Sequence, residues 1–182
     1  MEHIYRQPQF GEDWFTYPNW YKSMVNHAQD GAHFVEVGSW KGKSSAFMAV
    51  EIANSGKTIK FDCIDTWEGS PEHVHMDNSK LYEIFVSNMK PLEQYYKAIK
   101  AKSVDAAKLY EDESLDFVFI DACHSYECVV EDIRAWYPKV KKGGVISGHD
   151  YNDSWPGVVQ AVNENIKGPI GTGELCWMYK KE

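Results

Sequence analysis

The stretch "HFVEVGSWKGKSSAFMAVEIA", residues 33–53, decides how this chain is read. Its first part, "HFVEVG", is a short apolar run stopped by Gly38, and its last part spaces Phe47, Met48, Val50 and Ile52 as a helix would. A strand, a tight turn and a helix are predicted in that order. Outward from there the pattern recurs. "KTIKFDCIDT" (residues 57–66) predicts a second strand running up to Asp65, and "SKLYEIFVSNM" (79–89) a helix. In "LDFVFIDA" (115–122) Phe117 to Ile120 are apolar without alternation, as expected of a parallel strand covered on both faces. "SYECVVEDIRAWYPKV" (125–140) predicts a helix with Val129, Val130, Ile133 and Trp136 near one face. "GGVISGHD" (143–150) predicts a strand opened by a turn at Gly143 and Gly144, "PGVVQAVNENI" (156–166) a helix, and "ELCWMYK" (174–180) a last strand.

Strands alternating with helices predict an α/β fold with a mostly parallel central sheet and helices on both faces. No repeat, linker or low-complexity segment divides residues 1–182, so a single domain is expected. In such sheets ligands bind beyond the carboxyl ends of the strands. Glu36, Asp65, Asp121, His149 and Asp150 all fall at predicted strand ends and should gather along one rim. The N-terminal "DWFTYPNWYKSMV" (13–25) is dense in aromatics, and residues 1–30 are expected to form a lid, an oligomer contact or a segment packed on the sheet.

The glycine loop raises the question of its ligand. Gly38, Gly42, Lys43 and Ser44 approach a phosphate-binding P-loop, which requires four residues between its glycines, whereas only Ser39, Trp40 and Lys41 intervene. Glu36, expected to aim into the same crevice, would repel a polyphosphate. A ligand with little negative charge fits better. Asp65 lies 27 residues after Gly38, where an acidic residue can take both hydroxyls of a ribose.

Bulk properties narrow the partners. The formal net charge of -8 argues against a phosphate-backbone-binding surface and for a small-molecule partner. No apolar run resembles a signal peptide or a membrane span, so no membrane partner and a cytoplasmic location are expected. Cys63, Cys123, Cys128 and Cys176 form no C-x-x-C pair and read as reduced, packing thiols.

At this point the sequence resembles a known family. "VEVGSWKGKSS" (35–45) looks like the first motif, E/D-x-G-x-x-x-G, of class I S-adenosylmethionine-dependent methyltransferases, and "FDCIDTWEG" (61–69) looks like their second acidic motif. "DFVFIDACHSYECVVEDIRAWYPKVKKGGVISGHDY" (116–151) is similar to a subgroup containing sugar and macrolide O-methyltransferases. There an I-D-x-x-H-S-Y-E run precedes a G-G-V-x-x-x-H/D-D-Y strand end. The resemblance covers roughly residues 31–180. It implies a Rossmann-like class I methyltransferase fold, S-adenosyl-L-methionine as cofactor and O-methylation of a small hydroxylated acceptor such as a sugar. It also implies that Gly38 and Gly42 contact the cofactor's amino-acid part, Asp65 its ribose, and the stretch around Ser103 and Val104 its adenine, with Ser39, Ser44 and Thr66 as further cofactor-binding residues. Trp67 either flanks the adenosine or covers the helix below. Glu36 and Asp121 suit a sulfonium and an ammonium as neighbours.

Methyl transfer is an in-line displacement, so the protein must chiefly hold the nucleophile in line and remove its proton. A divalent metal chelated by the acceptor would lower the pKa of its hydroxyl. The resemblance implies that Asp121 and Asp150, with His149 between them in order, stand where related enzymes hold magnesium. Magnesium prefers oxygen ligands, so His149 is read first as general base, with a softer metal's ligand or a loop-ordering group as alternatives. His124 either caps the helix starting near Ser125 or joins the acceptor pocket. Glu72, His73 and His75 have H-x-H spacing, for which a solvated substrate loop is preferred over a metal site. Two other classes compete: a nicotinamide-dependent oxidoreductase, disfavoured because "GSWKGK" has no G-x-G-x-x-G, and a non-catalytic nucleoside-binding protein.

Overall fold

Apolar residues on both faces of the central strands dictate a sheet sandwiched between helices, and the computed structural model, which describes residues 1–70, 75 and 77–182, has that arrangement. In chain order the described elements are α1 (Pro18–His27), β1 (His33–Val37), α2 (Lys43–Ser55), β2 (Lys60–Asp65), α3 (Leu81–Met89), β3 (Lys97–Lys100), α4 (Ser103–Ala107), β4 (Leu115–Ile120), α5 (Tyr126–Trp136), β5 (Val140–Gly148), α6 (Pro156–Asn165), β6 (Gly171–Gly173) and β7 (Cys176–Lys180). The sheet order is β3-β2-β1-β4-β5-β7-β6. Neighbours from β3 to β5 pair in parallel, and β7 runs antiparallel to both β5 and β6. Strand order therefore reverses between β1 and β4, which opens a crevice at their carboxyl ends.

Period-two geometry sorts the core. Phe34, Phe117 and Phe119 face α1 and α2, in one cluster with Tyr17, Tyr21, Phe47 and Phe85. Val35, Val37, Val118 and Ile120 face α5 and α6, with Ile133, Trp136, Val158 and Val162. Burying each such side chain contributes about 1.5–3 kcal/mol.

The departures from expectation lie in short polar elements. The edge strand β3, the one-turn helix α4 and the three-residue β6 carry too few apolar residues to show a period. Strand β5 begins at Val140, ahead of the glycines expected to open it. Its pairing with β4 shifts register between Leu115 and Phe117, and Gly143 takes a left-handed φ of 79° there. Glu72 and His73 lie outside the described residues; His75 is exposed.

Candidate active site

Gly38 ends β1, its N–H donating to the Ile64 carbonyl at 2.8 Å. A Cβ there would sit 1.9 Å from the Asp121 carbonyl oxygen, so only glycine lets the ends of β1 and β4 approach. The following loop doubles back through Trp40, a non-glycine residue at φ 48°. Its N–H is held by Asp65 Oδ2 at 2.8 Å, while Oδ1 accepts the Trp67 N–H at 2.7 Å. The Trp67 indole N–H returns to the Trp40 carbonyl at 2.9 Å. Asp65 thus ties together the loops after β1 and β2. Trp67 is buried against Tyr82 and Phe85 of α3, which is the covering position of its two alternatives. Thr66 Oγ1 accepts the Glu68 N–H within the same turn.

One expectation for this loop is corrected. Glu36 does not aim into an open crevice: it is 1% exposed, and its carboxylate accepts from Tyr21 Oη and Ser39 Oγ at 2.9 Å each and from Ser45 Oγ. Burial pushes its pKa up, against the hydroxyls of Ser45, Ser44, Ser39 and Tyr21, which lower it. The loop's lysines pair with acids of the N-terminal segment, in line with the reading against a P-loop. Lys41 Nζ pairs with Glu12 at 2.9 Å, and Lys43 Nζ reaches Asp13 Oδ1 at 2.9 Å and the Glu12 carbonyl at 3.0 Å.

Ser103 and Val104 open α4 beyond β3, both partly buried. The Ser103 hydroxyl accepts the Trp136 indole N–H at 2.9 Å, so α5 anchors the stretch expected at the adenine.

Beyond the ends of β4 and β5 four ionisable side chains converge. His149 Nδ1 lies 3.2 Å from Asp150 Oδ2 and 3.7 Å from Asp121 Oδ1. His124 Nε2 lies 2.9 Å from Asp150 Oδ2 and 4.0 Å from Asp121 Oδ1. Asp150 takes a left-handed φ of 59°, which turns its carboxylate back over the strand end. Burial alone would depress the pKa of His149, but hydrogen bonds and charges from Asp121 and Asp150 push it up to about 10. Burial alone would raise that of Asp150, but His124 and His149 hold it well below the carboxylate range. The two neighbouring carboxylates thus favour the charged form of His149. Its Nε2 meets Thr16 Oγ1 at 2.9 Å, so both ring nitrogens have a polar neighbour.

His124 is not the cap of α5. Ser125 caps α5, its Oγ accepting the Cys128 N–H at 3.4 Å, which frees the preceding histidine to enter the cluster. Trp155 packs on its ring at a centroid distance of 4.2 Å. Asp121, His124 and Asp150 each offer one donor atom, and these lie within 4.8 Å of one another. Two carboxylates and an imidazole suit manganese, iron or zinc better than magnesium. All four cysteines are free thiols, Cys63 and Cys176 being buried.

The N-terminal segment supplies residues that sequence reasoning did not assign to the site. Tyr17 Oη donates to Asp121 Oδ2 at 2.7 Å, Thr16 meets His149, and Trp20 Nε1 donates to Ser147 Oγ at 2.9 Å. Aromatic density marked the segment, but nothing in the letters indicated these partners.

The profile of a family described as "Methyltransferase domain" matches residues 35–151. A sequence relative, the uncharacterized protein R132 of Acanthamoeba polyphaga mimivirus, is 28% identical over 167 residues, covering 88% of this chain and 72% of that protein. The structure of the O-methyltransferase NovP superposes with a TM-score of 0.73 at 19% identity, covering 90% of this chain and 78% of that one. CalS11, a TDP-rhamnose 3'-O-methyltransferase of calicheamicin biosynthesis, superposes with a TM-score of 0.64 at 12% identity, over 90% and 76% of the two chains. At these identities the two structures share their fold with this chain.

Proposed function

The chain belongs to the family of methyltransferase domains and is an S-adenosylmethionine-dependent methyltransferase; on that premise we propose that it methylates a hydroxyl of a small acceptor such as a sugar. The observation that carries this reading is the cluster of Asp121, His124, His149 and Asp150 beside the glycine loop. When bound, the cofactor supplies a methyl group on a positively charged sulfur. The loop from Gly38 to Gly42, which enters the N-terminus of α2, would hold its amino-acid part, with Asp65 and Thr66 toward the ribose and Ser103 and Val104 toward the adenine. The residues fit such a group: the loop's lysines are occupied elsewhere, and Asp121 offers a carboxylate rather than a cation.

Asp121, Asp150 and His124 also fit a divalent ion, which when bound would lower the pKa of an acceptor hydroxyl. Without one, that proton would pass to the side chains of this cluster, with His149 the base read from the sequence and His124 beside it. His149 holds the two carboxylates apart from each other's repulsion. The net charge of -8 supports a small molecule over a nucleic acid backbone. A sugar acceptor draws support from the fold shared with CalS11.

The test is calorimetric titration with S-adenosylhomocysteine, ATP and NAD, followed by a screen of hydroxylated sugars and phenols for S-adenosylhomocysteine formation, with and without EDTA. Binding of S-adenosylhomocysteine alone, at about micromolar Kd, is expected. A folded sample that ignores it and binds NAD would return the oxidoreductase reading. Transfer confined to nitrogen acceptors would remove the O-methylation claim.

A further inference from the structure

We propose that Thr16 and Tyr17, which precede the matched residues 35–151, are positioning residues of the acid–histidine cluster. The inference rests on the reading of that cluster as the reaction site.

Helix α1, which follows them, is fixed at both ends by distant side chains. Its first turn has no side-chain cap of its own; the Glu174 carboxylate substitutes, accepting from Trp20 N at 3.0 Å and from Asn19 Nδ2 at 2.7 Å. At the other end Lys57 Nζ donates to the Val25 and Asn26 carbonyls at 2.8 Å each. An anion at the N-terminus and a cation at the C-terminus both complement the helix dipole. The Trp20 bond to Ser147 then sets where α1 starts relative to β5.

Anchored this way, the residues just before α1 meet the strand ends with little freedom. Tyr17 is 1% exposed, with its ring 4.7 Å from that of Phe119 and 4.6 Å from that of His149. By holding Asp121 Oδ2 it leaves Oδ1 to face His124 and His149. Thr16 in turn holds His149 Nε2, which leaves Nδ1 facing the carboxylates. Packing alone would be served by any ring at position 17 and any small side chain at position 16. The hydroxyl on each is what couples the segment to the cluster, and such outer partners orient the groups that do meet ligands.

The experiment compares the full-length protein with Tyr17→Phe, Thr16→Val and Thr16→Ser in melting temperature, S-adenosylhomocysteine affinity, Mn2+ affinity by electron paramagnetic resonance, and turnover of the acceptor found by screening. For Tyr17→Phe and Thr16→Val, Mn2+ affinity or kcat, whichever the wild type supports, is expected to fall about tenfold. S-adenosylhomocysteine affinity should stay within about twofold of the wild type, and Thr16→Ser should restore what Thr16→Val loses. Wild-type values in both variants overturn the proposal, as does a loss shared equally by melting temperature and cofactor-product affinity. A wild type that takes up no Mn2+ and methylates no acceptor also overturns it, since nothing would then be positioned. In that case the S-adenosylhomocysteine titration shows whether the cofactor reading survives.

Discussion

Two pairs of carboxylates stand along the carboxyl rim of the sheet, and their surroundings differ. On the β1–β2 side, Glu36 and Asp65 accept from protein donors that are not charged: the hydroxyls of Tyr21, Ser39 and Ser45, and the backbone N–H groups of Trp40 and Trp67. On the β4–β5 side, Asp121 and Asp150 face the imidazoles of His124 and His149. Burial raises the pKa of both members of the first pair, whereas the histidines lower that of Asp150. The first pair therefore ties the glycine loop to its neighbours, and the second forms a charged cluster beyond the ends of β4 and β5. A carboxylate at a strand end is a scaffold or a reagent according to what its oxygens already accept.

The sharpest way to break this contrast is Glu36→Ala. It removes the common acceptor of three buried hydroxyls, and stability should fall by about 3–4 kcal/mol in a urea titration. A loss below about 1 kcal/mol would show that Glu36 is no scaffold. Next comes Asp150→Asn, which keeps a residue tolerant of the left-handed backbone. Turnover, or Mn2+ affinity, should drop about 100-fold while S-adenosylhomocysteine affinity changes less than about threefold. Collapse of the fold instead would move Asp150 into the scaffold class.

A third carboxylate sharpens the comparison. Asp132 on α5 is 5% exposed, and burial, opposed only in part by Ser103, pushes its pKa up to about 6. Folded protein therefore holds this proton more tightly than unfolded chain. Its contribution to stability declines as pH rises from about 4 through about 6 and stays low above that. Asp132→Asn should stabilise the protein by about 1–2 kcal/mol at pH 7.5 and leave it unchanged near pH 3, as read by thermal melts at both values. The smallest effect is expected from Lys43→Met. Its salt bridge to Asp13 is exposed on the acid's side, so stability should change by less than about 1 kcal/mol and S-adenosylhomocysteine affinity by less than about twofold. A large loss of affinity would instead place Lys43 beside the carboxylate of the bound cofactor product.

Much of the scaffold was legible because it depends on local pattern. The apolar runs of β1, β2 and β4 and the spacing of α2 and α5 each carry their period within about ten residues. Strand β3 and helix α4 were not, since an edge strand of four residues and a single helical turn are held by neighbours rather than by their own periodicity. Among site residues, the strand ends predicted where Asp65, Asp121, His149 and Asp150 would gather. Which way His124 turns depended on Ser125 taking the cap, a choice between two adjacent polar residues. That Tyr17 and Thr16 reach residues more than a hundred positions away has no local signature at all.

By itself the sequence determined the alternation of elements, hence the sheet, the rim and the glycine loop, because backbone periodicity and glycine's access to left-handed conformations are properties of a few neighbouring residues. Only the tertiary structure decided which acids on that rim are consumed and which are presented. Hydrogen-bond capacity is filled by whatever donor the fold brings within about 3 Å, and those donors come from α1, the loops and β5, far apart in the chain.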